Sequence, residues 1–349
     1  MTSLTRRMML AAAAATPLTG FAGAAYARSG GTWGARASMP AVAQEIYAAR
    51  QGPLIYTAGG LVGRPGGLFI NDDCFVYDTR RDEWTGGPRL PEPRHHLMLV
   101  DGPGDRIWGF GGYDRRDRGE WTAMTQVWVI DQGRWHDVGR MPSPLCETVG
   151  LHHDGLLHLA TGRSPKGDAN GQWNDQGDVD THLIFDPADL KWTTGRPCPV
   201  ARNSAAGAVL DGALWVAGGR TVTGGGTGRL DRYDPAADRW DTLAPIPISP
   251  RSGKQVGGGL ALAAAGGRLV AFGGEWFAPR SEGGGGGVFA ETWIYDPTRD
   301  AWTEGAPMTT PRHGLAAVTI DDVVYALGGG EVVSGGAASE RTEAFHFEI

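Results

Sequence analysis

Thr310-Pro311-Arg312-His313-Gly314-Leu315-Ala316-Ala317-Val318-Thr319-Ile320-Asp321-Asp322-Val323-Val324-Tyr325-Ala326-Leu327-Gly328-Gly329 is the stretch that decides the fold. An apolar run to Ile320, a turn at Asp321-Asp322 and a second apolar run into a glycine doublet spell two antiparallel strands joined tightly. Just upstream, Glu291-Thr292-Trp293-Ile294-Tyr295 reads as a third strand. Asp296-Pro297-Thr298-Arg299-Asp300 is then a turn in which Pro presets φ and Asp bonds back to the backbone, and Trp302 opens a fourth strand. The unit is a four-stranded meander.

The unit repeats. Small-residue doublets close apolar runs at Gly59-Gly60, Gly111-Gly112, Thr161-Gly162, Gly218-Gly219, Gly273-Gly274 and Gly328-Gly329, and tryptophans recur at 33, 84, 135, 192, 240 and 302. A period of roughly 50 residues points to a propeller or solenoid. Tyr77 and Trp84, Phe185 and Trp192, Tyr233 and Trp240, and Tyr295 and Trp302 are each seven residues apart, and only the second copy, Asp131 to Trp135, is shortened. The doublets end the second strand where a Cβ would obstruct a close backbone approach, and the aromatics fill the wedge between sheets.

These residues resemble the kelch repeat: the Gly doublet, the Tyr-Asp-Pro turn and the spaced Trp run through the mature chain. The resemblance implies an all-β, six-bladed propeller of four-stranded antiparallel blades. Trp33 has no doublet before it, and the last doublet is followed by a strand, Glu343-Ala344-Phe345-His346-Phe347, but no tryptophan. Residues 31–39 are therefore expected to supply the outer strand of the blade built from 311–349, closing the ring without an unpaired edge.

The length of 349 residues would otherwise suggest two domains, but a closed toroid grows as one unit, so 28–349 is read as one domain. The 56 glycines fall at turns without a triplet period, which excludes collagen. Residues 1–27 read as a signal: Arg6-Arg7, an Ala-rich apolar stretch too short to span a bilayer, and Ala25-Tyr26-Ala27 as a cleavage site. The twin arginines resemble a Tat signal and imply a periplasmic or secreted protein with no membrane anchor after cleavage.

Cleavage would remove two basic residues and no acids, taking the net charge from −7 to −9, so nucleic acid is an unsuited partner. Cys74, Cys146 and Cys198 are too few for a disulfide framework or zinc site. At most one bridge is allowed for, with one thiol left over.

In a four-stranded blade, the entry into the innermost strand and the loop after the doublet share one rim, and a site belongs there. Counted back from the doublets, the inner strands open at Gln44-Glu45, Arg94-His95-His96, Cys146-Glu147, Arg202-Asn203, Arg251-Ser252 and Arg312-His313. Arg94, Arg202, Arg251 and Arg312 thus occupy equivalent places, either bonding to neighbouring blades or converging with Asn203 on an anionic or carbohydrate ligand. Glu147 replaces that pattern with a carboxylate suited to acid–base work, and Glu45 is a second candidate, each with a structural ion pair as the alternative. His95 and His313 open inner strands at the rim and are the candidate catalytic histidines. His152, His153 and His158 lie past it, as packed or surface residues.

Two long loops follow doublets. Residues 163–182 contain Trp173 and the alternating Asp178, Asp180 and His182, which on one strand face would suit a divalent cation or simply make a solvated acidic edge. Residues from Glu275 contain Trp276, Phe277 and Arg280 and then the glycines 283–287, suited to stacking on a sugar or to plugging the channel.

Among kelch propellers, galactose-oxidase-like enzymes carry a Tyr–Cys copper-radical centre. Cys146 resembles that cysteine, but no inner-strand start contains a Tyr and the matching place in the next blade is Ser204, which argues against copper-radical oxidation. The periplasmic sialic-acid mutarotase/epimerase group is similar in size, export and ring, and Glu275 with Arg280 loosely resembles its Glu–Arg pair. That resemblance implies a cofactor-independent isomerase acting on a small sugar. The other reading is a non-catalytic binding module: kelch adaptors use arginines at this opening to grip acidic peptides, and a periplasmic protein or acidic glycan would be the partner.

Overall fold

The computed structural model describes residues 30–347, except 66, 118, 223–224 and 279–283. The signal assigned to 1–27, and Arg280, lie outside the described residues. Six four-stranded antiparallel sheets follow one another. The first runs Ala48–Gln51, Leu54–Ala58, Cys74–Asp78, Glu83–Gly86, and the next four repeat this order down to Ala301–Glu304. In the sixth, Ala316–Ile320, Val323–Leu327 and Thr342–Phe347 are completed by Gly31–Ala35 from the start of the chain. The register runs from Gly31 opposite Phe347 to Ala35 opposite Glu343, as the unpaired Trp33 foretold. Each innermost strand touches the innermost strands of both neighbours, including the first and last blades, so the ring is closed.

The repeated residues have mechanical jobs. A Cβ on Gly59, whose φ is +72°, would stand 2.2 Å from the carbonyl oxygen of Arg94 in the next blade. Only glycine allows that approach. Tryptophan indoles tie four blades to the one before: Trp84 Nε1 donates to Ala37 O at 2.9 Å, Trp135 to Pro88 O at 2.8 Å, Trp240 to Arg196 O at 2.9 Å and Trp302 to Ala244 O at 2.7 Å. Trp33 makes the closing tie, to Thr292 Oγ1 at 3.0 Å and Ala306 O at 3.2 Å. In the Tyr-Asp turns, Tyr77, Tyr233 and Tyr295 hydroxyls donate to Asp82, Asp238 and Asp300, residues held at positive φ.

Two expectations change. In the third blade the doublet does not end the strand: Leu156–Pro165 runs through Thr161-Gly162 on a bulge and pairs with Gln176–Asp186 to its end. In the fifth blade the inner strand opens at Gly257–Gly259, not at Arg251-Ser252, because a turn at 249–253 precedes it. After three other doublets the chain instead makes a projecting two-stranded hairpin: Leu61–Arg64 with Gly67–Ile70, Tyr113–Arg116 with Gly119–Ala123, and Glu275–Phe277 with Gly286–Val288.

Candidate active site at the channel mouth

The inner-strand openings and the residues after the doublets do meet on one rim. Gln44 pairs with Leu61, His95 with Tyr113, Cys146 with Arg163, Asn203 with Arg220 and His313 with Gly330. One residue further in, the chain turns sharply at Glu45, His96, Glu147, Ser204, Gly259 and Gly314, and all six have φ between +48° and +68°. Their backbones form a belt around the axis: Glu45 N donates to Gly314 O, His96 N to Glu45 O, Ser204 N to Glu147 O, Gly259 N to Ser204 O and Gly314 N to Gly259 O. Glycine fits this conformation freely, whereas a branched or charged residue bears about 1 kcal/mol or more of strain. The chain nonetheless places Glu, His, Glu and Ser at four of the six positions, which aims their side chains at the mouth.

Above the belt is a cavity of about 550 Å3, lined by Glu45, His96, Glu147, Arg220 and Glu275 and walled by Trp121, Trp173, Phe277, Leu61 and Leu68. Its ionisable groups link across all six blades. His96 Nε2 lies 2.9 Å from Glu45 Oε2, whose other oxygen is 3.6 Å from His313 Nδ1. His313 Nδ1 is 3.5 Å from Glu275 Oε2, and Glu275 Oε1 accepts from Arg220 Nη1 at 2.5 Å. Arg220 Nη2 is 3.9 Å from Glu147, which also accepts from Arg163 Nη1 at 3.2 Å. Carboxylates thus alternate with nitrogen-bearing side chains around the opening.

The hydrogen bonds fix the protonation of the histidine pair. His95 Nε2 faces the Glu120 carbonyl at 2.8 Å, which only accepts, so Nε2 carries the proton and Nδ1 offers a lone pair. His96 Nδ1, 2.7 Å away, donates to it, and His96 Nε2 donates to Glu45. With Glu45 ionised, both ring nitrogens of His96 are donors, which is the imidazolium form. Burial opposes that charge, but the Glu45 carboxylate outweighs it and raises the His96 pKa. Burial and the neighbouring His96 charge depress His95 to about 3. Burial works against ionisation of Glu45, yet His96 and then His313 pull its pKa well below the ordinary carboxylate value. Glu147 is likewise lowered, since His96, Arg163, Arg220 and the Ser204 hydroxyl at 2.6 Å overcome its burial.

Of the residues singled out from sequence, Glu45, Glu147, Glu275 and Trp173 line this cavity. Trp173 also stacks on the Arg163 guanidinium, 4.2 Å from its centroid. His313 is buried behind Glu45 and Glu275, its Nε2 donating to Val332 O and Ser334 O. His95 sits behind His96, and it is His96 that reaches the cavity. Asn203 lies beneath, its Oδ1 accepting from Arg220 Nε at 3.2 Å.

The arginines expected to converge on the mouth do not. Arg94, Arg202 and Arg312 are fully buried within their blades, paired with Asp114 and Glu92, with Asp231, and with Glu343. Arg251 lies on an exposed turn against Glu291 and Glu304. Trp276 faces away, over Lys254, because Glu275 and Phe277 take the cavity side of the alternating strand. Asp178, Asp180 and His182 do not assemble: the bulge opposite Thr161 breaks their alternation, Asp178 accepts from Asn203 and Val222, and His182 packs against His158 and Tyr233. Among the described residues no group of three or more His, Cys, Asp or Glu is placed to hold a metal ion.

Sequence reasoning missed Arg163, Arg220 and Trp121. The first two directly follow their doublets, at the position Leu61, Tyr113, Glu275 and Gly330 hold in the other blades, so an alignment of that column exposes them.

Six blades around an axial mouth, with glycine doublets at the blade junctions, make this chain a kelch-repeat six-bladed β-propeller, a fold consistent with a ligand- or protein-binding module. A model of the kelch motif matches residues 201–247. Kelch-like protein terF of Aspergillus terreus is 24% identical over 329 residues, spanning 90% of this chain and 55% of that protein. Beta-scruin of Limulus polyphemus is 29% identical over 170 residues, 47% of this chain and 18% of that protein. Kelch-like protein 40 of Mus musculus is 26% identical over 46% of this chain and 25% of its own length. The chain thus spans little more than half of these relatives at most. A solved structure titled "Structure of YjhT" superposes with a TM-score of 0.73 at 17% identity, covering 87% of this chain and 95% of that one, a likeness of fold.

Proposed function

We propose that the mouth binds a small sugar and interconverts its anomers without a cofactor, with Glu45 as base and His96 as acid. The observation that supports this most is the Glu45–His96 contact at 2.9 Å, an ionised base touching a protonated acid, both in the cavity wall and both held on left-handed backbone. Glu45 removes the proton from the anomeric hydroxyl while His96 gives one to the ring oxygen. The C1–O5 bond breaks, the aldehyde rotates about C1–C2, and the reverse transfers close the ring on the other face. No electrons change hands. Each transfer eases the other: once His96 is neutral it no longer holds the Glu45 pKa down, so Glu45 becomes the stronger base. Trp121, Trp173 and Phe277 offer flat apolar faces for the sugar's C–H surface. A periplasmic or secreted setting belongs to the same proposal.

The reading is tested by saturation-transfer NMR between the anomeric proton signals of a panel of neutral, acetamido and carboxylated aldoses. Accelerated exchange for at least one sugar, lost in Glu45→Gln and His96→Gln, is the expected result. Binding shifts with no acceleration for any sugar would overturn it in favour of a binding module. That second reading draws on the exposed Phe69, Phe277 and Val332 of the post-doublet segments. It no longer draws on Arg94, Arg202 or Arg312, whose guanidiniums are occupied within their blades.

A further inference from the structure

Two blades contribute no side chain to the belt. Where blades one to four carry Glu45, His96, Glu147 and Ser204, blade five has Gly259, preceded by Gly258, and blade six has Gly314. The side chains of neighbouring blades lie over these glycines. A Cβ on Gly314 would stand 2.7 Å from Glu45 Cδ, 2.8 Å from its Oε2 and 2.9 Å from its Oε1, so all three nearest atoms belong to one carboxyl group. A Cβ on Gly258 would meet Ser204 Cβ at 2.7 Å and Arg220 Nε and Cζ at 3.0 and 3.1 Å. Ser204 and Arg220 are both partners of Glu147, and Arg220 also holds Glu275.

We infer that Gly314 and Gly258 are positioning residues of the mouth: Gly314 gives Glu45 the space from which it reaches His96, and Gly258 gives Arg220 the space from which it joins Glu147 to Glu275. This deepens the proposed site but rests on its geometry and not on anomer chemistry, so its test needs no sugar. Separations below 3.0 Å to a Cβ essentially never occur, so an added methyl moves the carboxyl group. The carboxyl is the free end of a flexible side chain, so it is the part that shifts, and its 2.9 Å contact with His96 is what that shift disturbs.

The experiment is an NMR titration of the His96 imidazole, assigned with His96→Gln, in the full chain. Gly314→Ala should lower the His96 pKa by about one unit, a tenfold change in its acid dissociation constant, because the Glu45 partner is displaced. Gly52→Ala is the control: its φ is +56°, like that of Gly314, but a Cβ there meets nothing within 4 Å, so it carries the backbone strain without the collision. A folded Gly314→Ala whose His96 titrates like the parent overturns the inference. Should Gly314→Ala fail to fold, the cycle with Glu45→Ala decides. The cost of Gly314→Ala should shrink once the carboxyl group is gone, and an unchanged cost overturns the inference.

Gly258→Ala is the cleaner half, since Gly258 does not have a left-handed φ. It should move the His96 titration far less than Gly314→Ala does, because the Glu45 contact stays and Ser204 and Arg220 are what a Cβ there displaces. In the same protein the Arg220 side-chain Nε–H resonance should shift from its Asn203-bonded position, and an unshifted resonance sinks this half.

Discussion

At the scale of single residues, the mouth separates side chains that hold the ring together from those that face the ligand. Arg312 is fully buried, bonded to Glu343 Oε2 at 2.5 Å and to the carbonyls of Gly328 and Arg341. Breaking a buried pair leaves an uncompensated charge and costs about 3–5 kcal/mol. Arg312→Met should therefore lower the urea midpoint strongly while leaving the His96 titration in place. A stable variant with altered His96 behaviour would return Arg312 to the site. Glu45→Gln and His96→Gln also break a buried pair and should lose stability too, but unlike Arg312→Met they should lose about 10²–10⁴ in any anomer exchange. Glu147 and Glu275 were legible as acids at an irregular opening and after a doublet. The belt was not, because left-handed φ is invisible in a sequence when Glu and His occupy it. Only the alignment of Gly259 and Gly314 with Glu45, His96 and Glu147 hints that a glycine conformation runs through the column.

At the scale of elements, the paired strands were readable because apolar alternation and turn residues mark them, whereas the blade-five opening was misplaced because Pro245 and Pro247 lead into, and Pro250 lies within, a turn that displaces the arginine from its usual place. The seam between blades three and four holds a second histidine pair. His158 Nδ1 lies 3.0 Å from His182 Nε2, and His182 Nδ1 faces Arg196 O at 3.3 Å. Burial, then the neighbouring histidines, depress His158 to about 3, and burial also lowers His182. A histidine with a lowered folded pKa takes up its proton more readily when unfolded. For His158 that contribution to stability is therefore complete above the unfolded value of about 6.5 and is lost as pH falls from there toward about 3, at roughly 1.4 kcal/mol per pH unit, and His182 acts in the same direction. The melting temperature should fall steeply between pH 6 and pH 4. His158→Leu should flatten that slope, and an unchanged slope in the variant would show that other groups set it.

At the scale of the whole molecule, stability depends on the last blade being completed from the start of the chain. Trp33 packs between Phe272 and Phe345, with ring centroids 4.9 and 5.2 Å away, and bonds across to blade five through Thr292 and Ala306. Trp33→Ala should cost about 3–5 kcal/mol by cavity formation, measured as a drop in the urea midpoint. A loss no larger than that of an exposed-site control such as Phe69→Ala would mean the closing strand is dispensable. The blade count and the closure were both readable from where the doublets and tryptophans fall out of step. The charge order around the mouth was not, since it is assembled from residues of all six blades.

Because Gly31 sits opposite Phe347, the two extremities of the described chain are stitched side by side in one sheet. A fluorophore placed at each would be within energy-transfer range only when the circle is complete. The protein therefore offers a direct optical gauge of its own closure, and a rearranged gene that fuses these neighbours and starts between two other blades should fold into the same circle.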